Sequence, residues 1–175
     1  MSLVAPHVNG QARVLLIGLG DLGRRLALAL AARAEVGELV LAARRAEDGT
    51  SFAELAAACG SALVRFQPLD CLNVDAVASL LDREQPDLVV QCAALLSPWA
   101  IGTLATPGAR VLASVGFAVQ LPAQVPAVLA VMQAARAAGF RKPIVNCSFP
   151  DVTHPILARL GLAPTIGIGN AGMIA

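Results

Sequence analysis

Arg13-Val-Leu-Leu-Ile-Gly-Leu-Gly-Asp-Leu-Gly-Arg24 is the stretch whose reading decides the fold. Residues 13–17 read as an apolar strand, followed by a glycine turn and the first turn of a helix. Gly18, Gly20 and Gly23 stand in the spacing G-x-G-x-x-G between those two elements. Each position has a mechanical reason to be glycine. Gly18 allows the tight turn out of the strand, Gly20 lets a pyrophosphate approach the backbone, and Gly23 lets the helix pack hard against the strand. The free N–H groups and the positive dipole end of that helix then face the diphosphate. A dinucleotide-binding turn is the expectation, and a glycine turn that only packs a helix is the alternative. Asp21 and Leu22 complete the turn, with Asp21 expected to point outward and help cap the helix.

The 175 residues suit one domain. With 57% apolar and 14% charged residues, the composition fits a parallel sheet covered on both faces, whose strands are apolar nearly throughout. A net charge of +1, with both signs mixed along the chain, gives no nucleic-acid footprint. Cys59, Cys71, Cys92 and Cys147 form no C-x-x-C, and His7 and His154 are the only histidines, so no metal site is expected. Free thiols in a reducing cytoplasm are the reading. No apolar run reaches the ~18 residues of a membrane span, and Met1–Gln11 lacks the pattern of a signal peptide. Residues 1–12 read as a flexible lead-in.

Strands and helices alternate along the rest. The first helix, about 21–33, sets Leu22, Leu26, Ala29 and Leu30 at helical spacing, with Arg24 and Arg25 toward solvent. Glu38–Ala43 is a second strand. Ser51 with Glu54 is a capping-box pattern for a helix that Gly60 stops. Ala62–Gln67 is a third strand, and Asn73 caps a helix over 74–84 that Pro86 ends. Asp87–Ala93 is the fourth strand. Ala94–Gln120 is broken by Pro98, Gly102, Pro107, Gly108 and Gly116, and Arg110–Ala113 could open a helix or a strand. Pro122–Ala138 reads as a long helix with Gly139 as its stop, Pro143–Cys147 as a fifth strand, 152–160 as a short helix, and Thr165–Ile168 as a sixth strand. Such alternation implies right-handed crossovers and a doubly wound parallel sheet, a three-layer αβα architecture. The ending Gly167–Ala175 fits either a stand-alone domain or the N-terminal part of a longer enzyme. The apolar stretch Ala109–Val131 would serve a subunit interface or the core of the monomer equally well.

In a doubly wound sheet the ligand crosses the carboxyl ends of the strands at the switch point. Where an acid would bind the ribose 2′-hydroxyl of NAD, this chain has Ala42-Ala-Arg-Arg45. A guanidinium holds a 2′-phosphate bidentately, so Arg44 and Arg45 favour NADP over NAD. Glu47 and Asp48 lie beyond the strand as exposed or helix-start residues. Asp70, after the third strand, would reach the adenine amine or serve as a turn residue. Cys92, Ala93 and Ala94 end the fourth strand with small groups, which suits close approach of a ribose or nicotinamide.

The fifth-strand run Val145-Asn-Cys-Ser-Phe-Pro-Asp151, with Gly161 and Gly167-Ile-Gly169 after it, resembles the cofactor domain of lactate/malate-type dehydrogenases. That resemblance implies a Rossmann fold and places Asn146 near the nicotinamide and substrate. Three features depart from it: Arg44 replaces the second-strand acid, Ala94-Leu-Leu-Ser-Pro-Trp99 lacks the substrate-loop arginine, and the catalytic histidine pair would lie past residue 175. Leu41–Arg45 and Gln85–Ala94 look more like saccharopine-dehydrogenase-like and nucleotide-sugar-epimerase-like proteins. With no tyrosine in the chain, the Tyr-x-x-x-Lys acid of the epimerase and short-chain families is excluded. Ser148 lies in no G-x-S-x-G elbow. His154 is a candidate proton donor or a helix-start residue. Cys147 is a reactive thiol or a buried one.

The expectation is an NADP-dependent dehydrogenase or reductase, or its cofactor-binding domain, moving hydride to or from a small carbonyl or imine substrate. Asn146, His154 and Ser97 would border the chemistry. A non-catalytic dinucleotide-binding sensor and an epimerase-like protein without its tyrosine are the alternatives. A small-molecule substrate is the partner expected, with neither nucleic acid nor membrane, and a homo-oligomer is compatible with the apolar stretch.

Overall fold

The computed structural model describes residues 10–97, 100–115 and 117–169. The expectations for residues 1–9, for Pro98, Trp99 and Gly116, and for 170–175 fall outside them. Four runs too short for helices become the first strands: β1 (Ala12–Ile17), β2 (Val36–Ala43), β3 (Leu63–Pro68) and β4 (Leu88–Gln91). Two shorter strands follow, β5 (Ile144–Asn146) and β6 (Ile166–Gly167). Between them run α1 (Asp21–Ala31), α2 (Ala46–Ala58), α3 (Val74–Glu84), α4 (Ala100–Thr103), α5 (Pro107–Val115), α6 (Leu121–Ala137) and α7 (Pro150–Arg159). All pairings are parallel, in the order β3-β2-β1-β4-β5-β6. The chain therefore winds outward from β1 in both directions, and its switch point lies between β1 and β4.

Two apolar layers cover the sheet. Alternate residues of β1 divide between them: Leu15 and Ile17 face α3, α6 and α7, whereas Val14 and Leu16 face α1 and α2. Burial on both faces explains why β1 and β2 are apolar almost without alternation. Stops are local chemistry. Asn73 Oδ1 accepts from Ala76 N at 3.0 Å to open α3. Gly161, at φ +67°, ends α7 with Leu162 N donating to Leu157 O at 2.8 Å.

The structure corrects several expectations. α2 begins at Ala46, with Arg45 as its N-cap residue, so Ser51 and Glu54 are interior positions rather than a capping box. The turn out of β2 leads directly into this helix, and Glu47 and Asp48 favour its positive end. The buried stripe of α1 is Gly23, Ala27 and Ala31, and Leu22 is 45% exposed. Close approach of α1 to the sheet selects the smallest residues for the contact. Arg24 is half-buried instead of solvated, its guanidinium 4.8 Å from the Phe52 ring centre. The stretch 109–131 divides: Val128 and Val131 of α6 are fully buried, whereas Val111, Leu112 and Val115 of α5 are exposed. Among the described residues no helix is long and apolar enough to cross a membrane.

A charged ladder closes the amino-terminal edge. Arg13 on β1 pairs with Glu38 on β2, Glu38 accepts from Arg65 on β3 at 2.6 Å, and Arg65 pairs with Glu84 at the end of α3. Arg13 also donates to the Glu84 carbonyl at 2.7 Å. Burial alone would raise the Glu38 and Glu84 carboxyls. Hydrogen bonds from Arg65, with Arg13 for Glu38 and Arg83 for Glu84, outweigh it and hold both below their ordinary value of 4.5.

The ladder's contribution should be complete above the ordinary carboxyl value and disappear as pH falls through the lower native values. In urea unfolding, Glu38→Ala should cost about 3 kcal/mol at neutral pH, the low end for orphaning a buried partner, since Glu38 keeps some solvent contact. It should also flatten the loss of stability below about pH 4.5 relative to the parent protein.

Candidate functional site

The carboxyl ends of the strands are laced together by backbone. Gly18 N donates to Ala42 O and Cys92 N to Ile17 O, each at 2.8 Å, and Leu69 N donates to Ala43 O at 2.9 Å. Gly18 leaves β1 at φ +103°, a conformation that side chains rarely adopt. A Cβ there would also lie 2.4 Å from Ala93 N. At Gly23 a Cβ would lie 1.9 Å from the Gly18 carbonyl oxygen, so only glycine lets α1 sit this close.

Gly20 differs from both. Its φ of −73° suits any residue, it is exposed, and a Cβ would meet nothing within 4 Å. Among the described residues, no contact requires glycine there. It precedes α1 as the N-cap residue, and no side chain caps that helix. Asp21 does point outward, but its carboxylate accepts from Arg25 at 3.2 Å instead of capping. Leu22 lies exposed beside it in the first turn. A backbone surface with helix amides at its margin, and among the described residues nothing within 4 Å of a Gly20 Cβ, can receive an anion.

On the β2–β3 side, Arg44 is exposed just past β2. Arg45 is drawn to Asp48, 3.1 Å away across the start of α2. Asp70 accepts from Leu72 N at 3.1 Å, so it serves as a turn residue. The charges of Arg44 and Asp70 both act on Cys71. Burial and then the Asp70 charge push that thiol up, and Arg44 partly offsets them.

On the β4–β5 side, Cys92, Ala93 and Ala94 are half-buried beyond β4. Asn146 is fully buried, and its amide is engaged at both ends. Its Oδ1 accepts from Ser148 N and its Nδ2 donates to Thr153 Oγ1, both at 2.9 Å. Thr153 Oγ1 in turn lies 3.0 Å from the carbonyls of Ser148 and Phe149. Ser148 Oγ donates to Gln124 Oε1 at 2.9 Å, and Gln124 Nε2 donates to Leu96 O at 2.8 Å. This network ties the loop after β4 to α6, β5 and α7, and it holds Phe149 at φ +42°. His154 lies in α7 against Gly167, with its Nε2 buried and unpartnered among the described residues. Ser97 is exposed on the loop after β4, its carbonyl accepting from Ala100 N at 3.0 Å.

Six parallel strands in the order 3-2-1-4-5-6, with a glycine turn after the first, decide the architecture. The fold is a Rossmann fold. A lactate dehydrogenase from a Medee basin deep-sea metagenome library shares it at TM-score 0.59 and 20% identity over 92% of this chain and 46% of that one. The UDP-glucose-4-epimerase of Stenotrophomonas maltophila, solved with bound NAD and formylated UDP-arabinopyranose, matches at TM-score 0.58 and 17% identity, over 81% of this chain and 38% of that one. The L-glutamate-forming saccharopine dehydrogenase of Saccharomyces cerevisiae matches at TM-score 0.51 and 15% identity, over 83% of this chain and 24% of that one. The chain thus spans less than half the length of each of these three proteins. No protein-family model and no curated protein sequence matches it.

Sequence reading missed Gln124 and Thr153. A buried glutamine inside the apolar run of α6 was the one available signal. The glycines make a separable prediction in urea unfolding. Gly23→Ala should lose about 1–3 kcal/mol to overpacking. Gly20→Thr should stay within about 0.5 kcal/mol of the parent, because threonine and glycine cap helices about equally well.

Proposed function

We propose that the chain binds NADP, with NAD as the weaker ligand, across the carboxyl ends of β1 and β4. It would act there as an oxidoreductase, or as the cofactor-binding domain of one, on a small carbonyl or imine substrate. Gly20 carries this reading. The described residues give steric reasons for Gly18 and Gly23 but none for Gly20, and a diphosphate laid on the backbone would supply one.

The rest of the ligand follows from that anchor. The adenine ribose would extend toward the end of β2, where Arg44 supplies a guanidinium for a 2′-phosphate. Arg45 could join it by leaving Asp48, and Asp70 lies on the adenine side. The nicotinamide would extend toward Cys92, Ala93 and Ala94. The cofactor would supply hydride chemistry, and the chain would bind and orient it. Asn146 would act by holding the turn from β5 into α7, and His154 would be the nearby proton carrier. The saturation of Asn146 inside the protein favours one second reading, a module that binds the dinucleotide without performing chemistry. Free cysteines throughout are compatible with a cytoplasmic setting.

Calorimetric titration with NADPH and with NADH tests the cofactor. NADPH should bind more tightly, Arg44→Ala should weaken it about tenfold with little effect on NADH, and Gly20→Thr should weaken both. Absence of heat with either nucleotide overturns the proposal. Asn146→Ala should cost about 1–3 kcal/mol of stability by orphaning the Ser148 amide and freeing the turn. Unchanged stability would remove its positioning role.

A further inference from the structure

Gln91, the last residue of β4, lies opposite Asn146, the last of β5, and the next residue on each strand is a cysteine. Cys147 N donates to Gln91 O at 2.8 Å, which continues the register past the strand ends. Cys92 and Cys147 pack against the same apolar layer, so they are neighbours on one face. Paired strands lie about 4.8 Å apart. That spacing is within the Cα separation of roughly 4.4–6.8 Å that a disulfide spans. Both residues are half-buried free thiols.

The pair is asymmetric. The interaction of the two thiols lowers Cys147 against the effect of its burial. The same pairing, together with burial, pushes Cys92 up. The pair also adjoins the glycine turn. Cys92 Cβ lies 3.4 Å from where a Gly23 Cβ would stand, and the backbone that follows Cys92 lies against Gly18. The other two cysteines lack this setting: Cys59 is exposed at the end of α2, and Cys71 lies beyond β3.

We propose that Cys92 and Cys147 form a thiol–disulfide exchange site for small disulfides, and that its closure reshapes the glycine turn. The Cys147 thiolate attacks one sulfur of an external disulfide RSSR, breaking its S–S bond and releasing RS⁻, which takes up a proton. Cys92 then loses its proton, attacks the Cys147 sulfur of the mixed disulfide, and expels the second thiol. Two protein thiols are oxidised by two electrons, and RSSR is reduced to two RSH. Closing the bond turns the Cys92 side chain beside Gly23. Where the dinucleotide reading of the previous subsection is correct, this couples thiol oxidation to nucleotide affinity. The exchange site itself does not depend on that reading.

The test uses the full chain carrying Cys59→Ser, treated with oxidised glutathione. Peptide mass analysis should find Cys92 linked to Cys147 with no retained glutathione, and Cys92→Ser should trap glutathione on Cys147. Hydrogen exchange at the amides of residues 18–23 should change several-fold on oxidation and return with dithiothreitol. A persistent mixed disulfide on Cys147 with Cys92 present, or no reaction at either cysteine, overturns the exchange site. Crosslinking with unchanged exchange in the turn overturns the coupling. A reduced protein that binds neither NADPH nor NADH overturns the nucleotide reading alone, because mass and hydrogen exchange are read without nucleotide.

Discussion

The contact between Gly23 and the Gly18 carbonyl is the constraint on which the rest of the structure depends. A methyl group at Gly23 would lie 1.9 Å from that oxygen. Its absence lets α1 press onto β1, with Ala27 and Ala31 extending the small-residue stripe at i+4 and i+8. The same proximity fixes where the start of the helix lies, immediately above the end of β1. Gly60 serves a similar approach farther along, where a Cβ would lie 2.1 Å from the Ala31 carbonyl oxygen. A central strand with a helix held this closely leaves the Gly20 backbone exposed on the surface of the turn.

The two ends of the sheet are built on opposite principles. The amino-terminal edge uses charge: Arg13, Glu38, Arg65 and Glu84 neutralise one another across three strands and a helix. Buried ions so placed are costly unless fully paired, and pairing here is nearly complete. The carboxyl edge uses small groups and backbone hydrogen bonds, with Gly18, Cys92 and Ala93 in contact at its centre.

Beyond the switch point, polar side chains replace glycine as the organising element. Asn146, Ser148, Thr153 and Gln124 satisfy one another and the surrounding backbone in a buried cluster. The cluster holds Phe149 in the left-handed region, which costs a non-glycine residue about 1–2 kcal/mol. It also draws the loop after β4 toward α6 through Leu96. Such a network fixes geometry more strictly than apolar contact, because each member orphaned inside the protein costs free energy.

Much of the architecture was legible in the sequence because its signals are local. The glycine spacing, the apolar runs of β1 to β5, the Asn73 cap and the Gly139 and Gly161 stops each depend on residues within a few positions of one another. The start of α2 was less legible, since Ser51 and Glu54 imitate a cap while the turn out of β2 sets the real beginning at Ala46. The buried face of α1 was misread for a related reason: hydrophobicity favoured Leu22, but distance to the sheet favoured glycine and alanine. By itself the sequence determined the alternation of elements, the doubly wound sheet and the position of the glycine turn. Only the tertiary structure separated Gly20 from Gly18 and Gly23, committed Asn146 to its own loop, turned Arg45 to Asp48, and set Cys92 beside Cys147. Those outcomes depend on atoms brought together from distant parts of the chain, and sequence spacing carries no record of such distances.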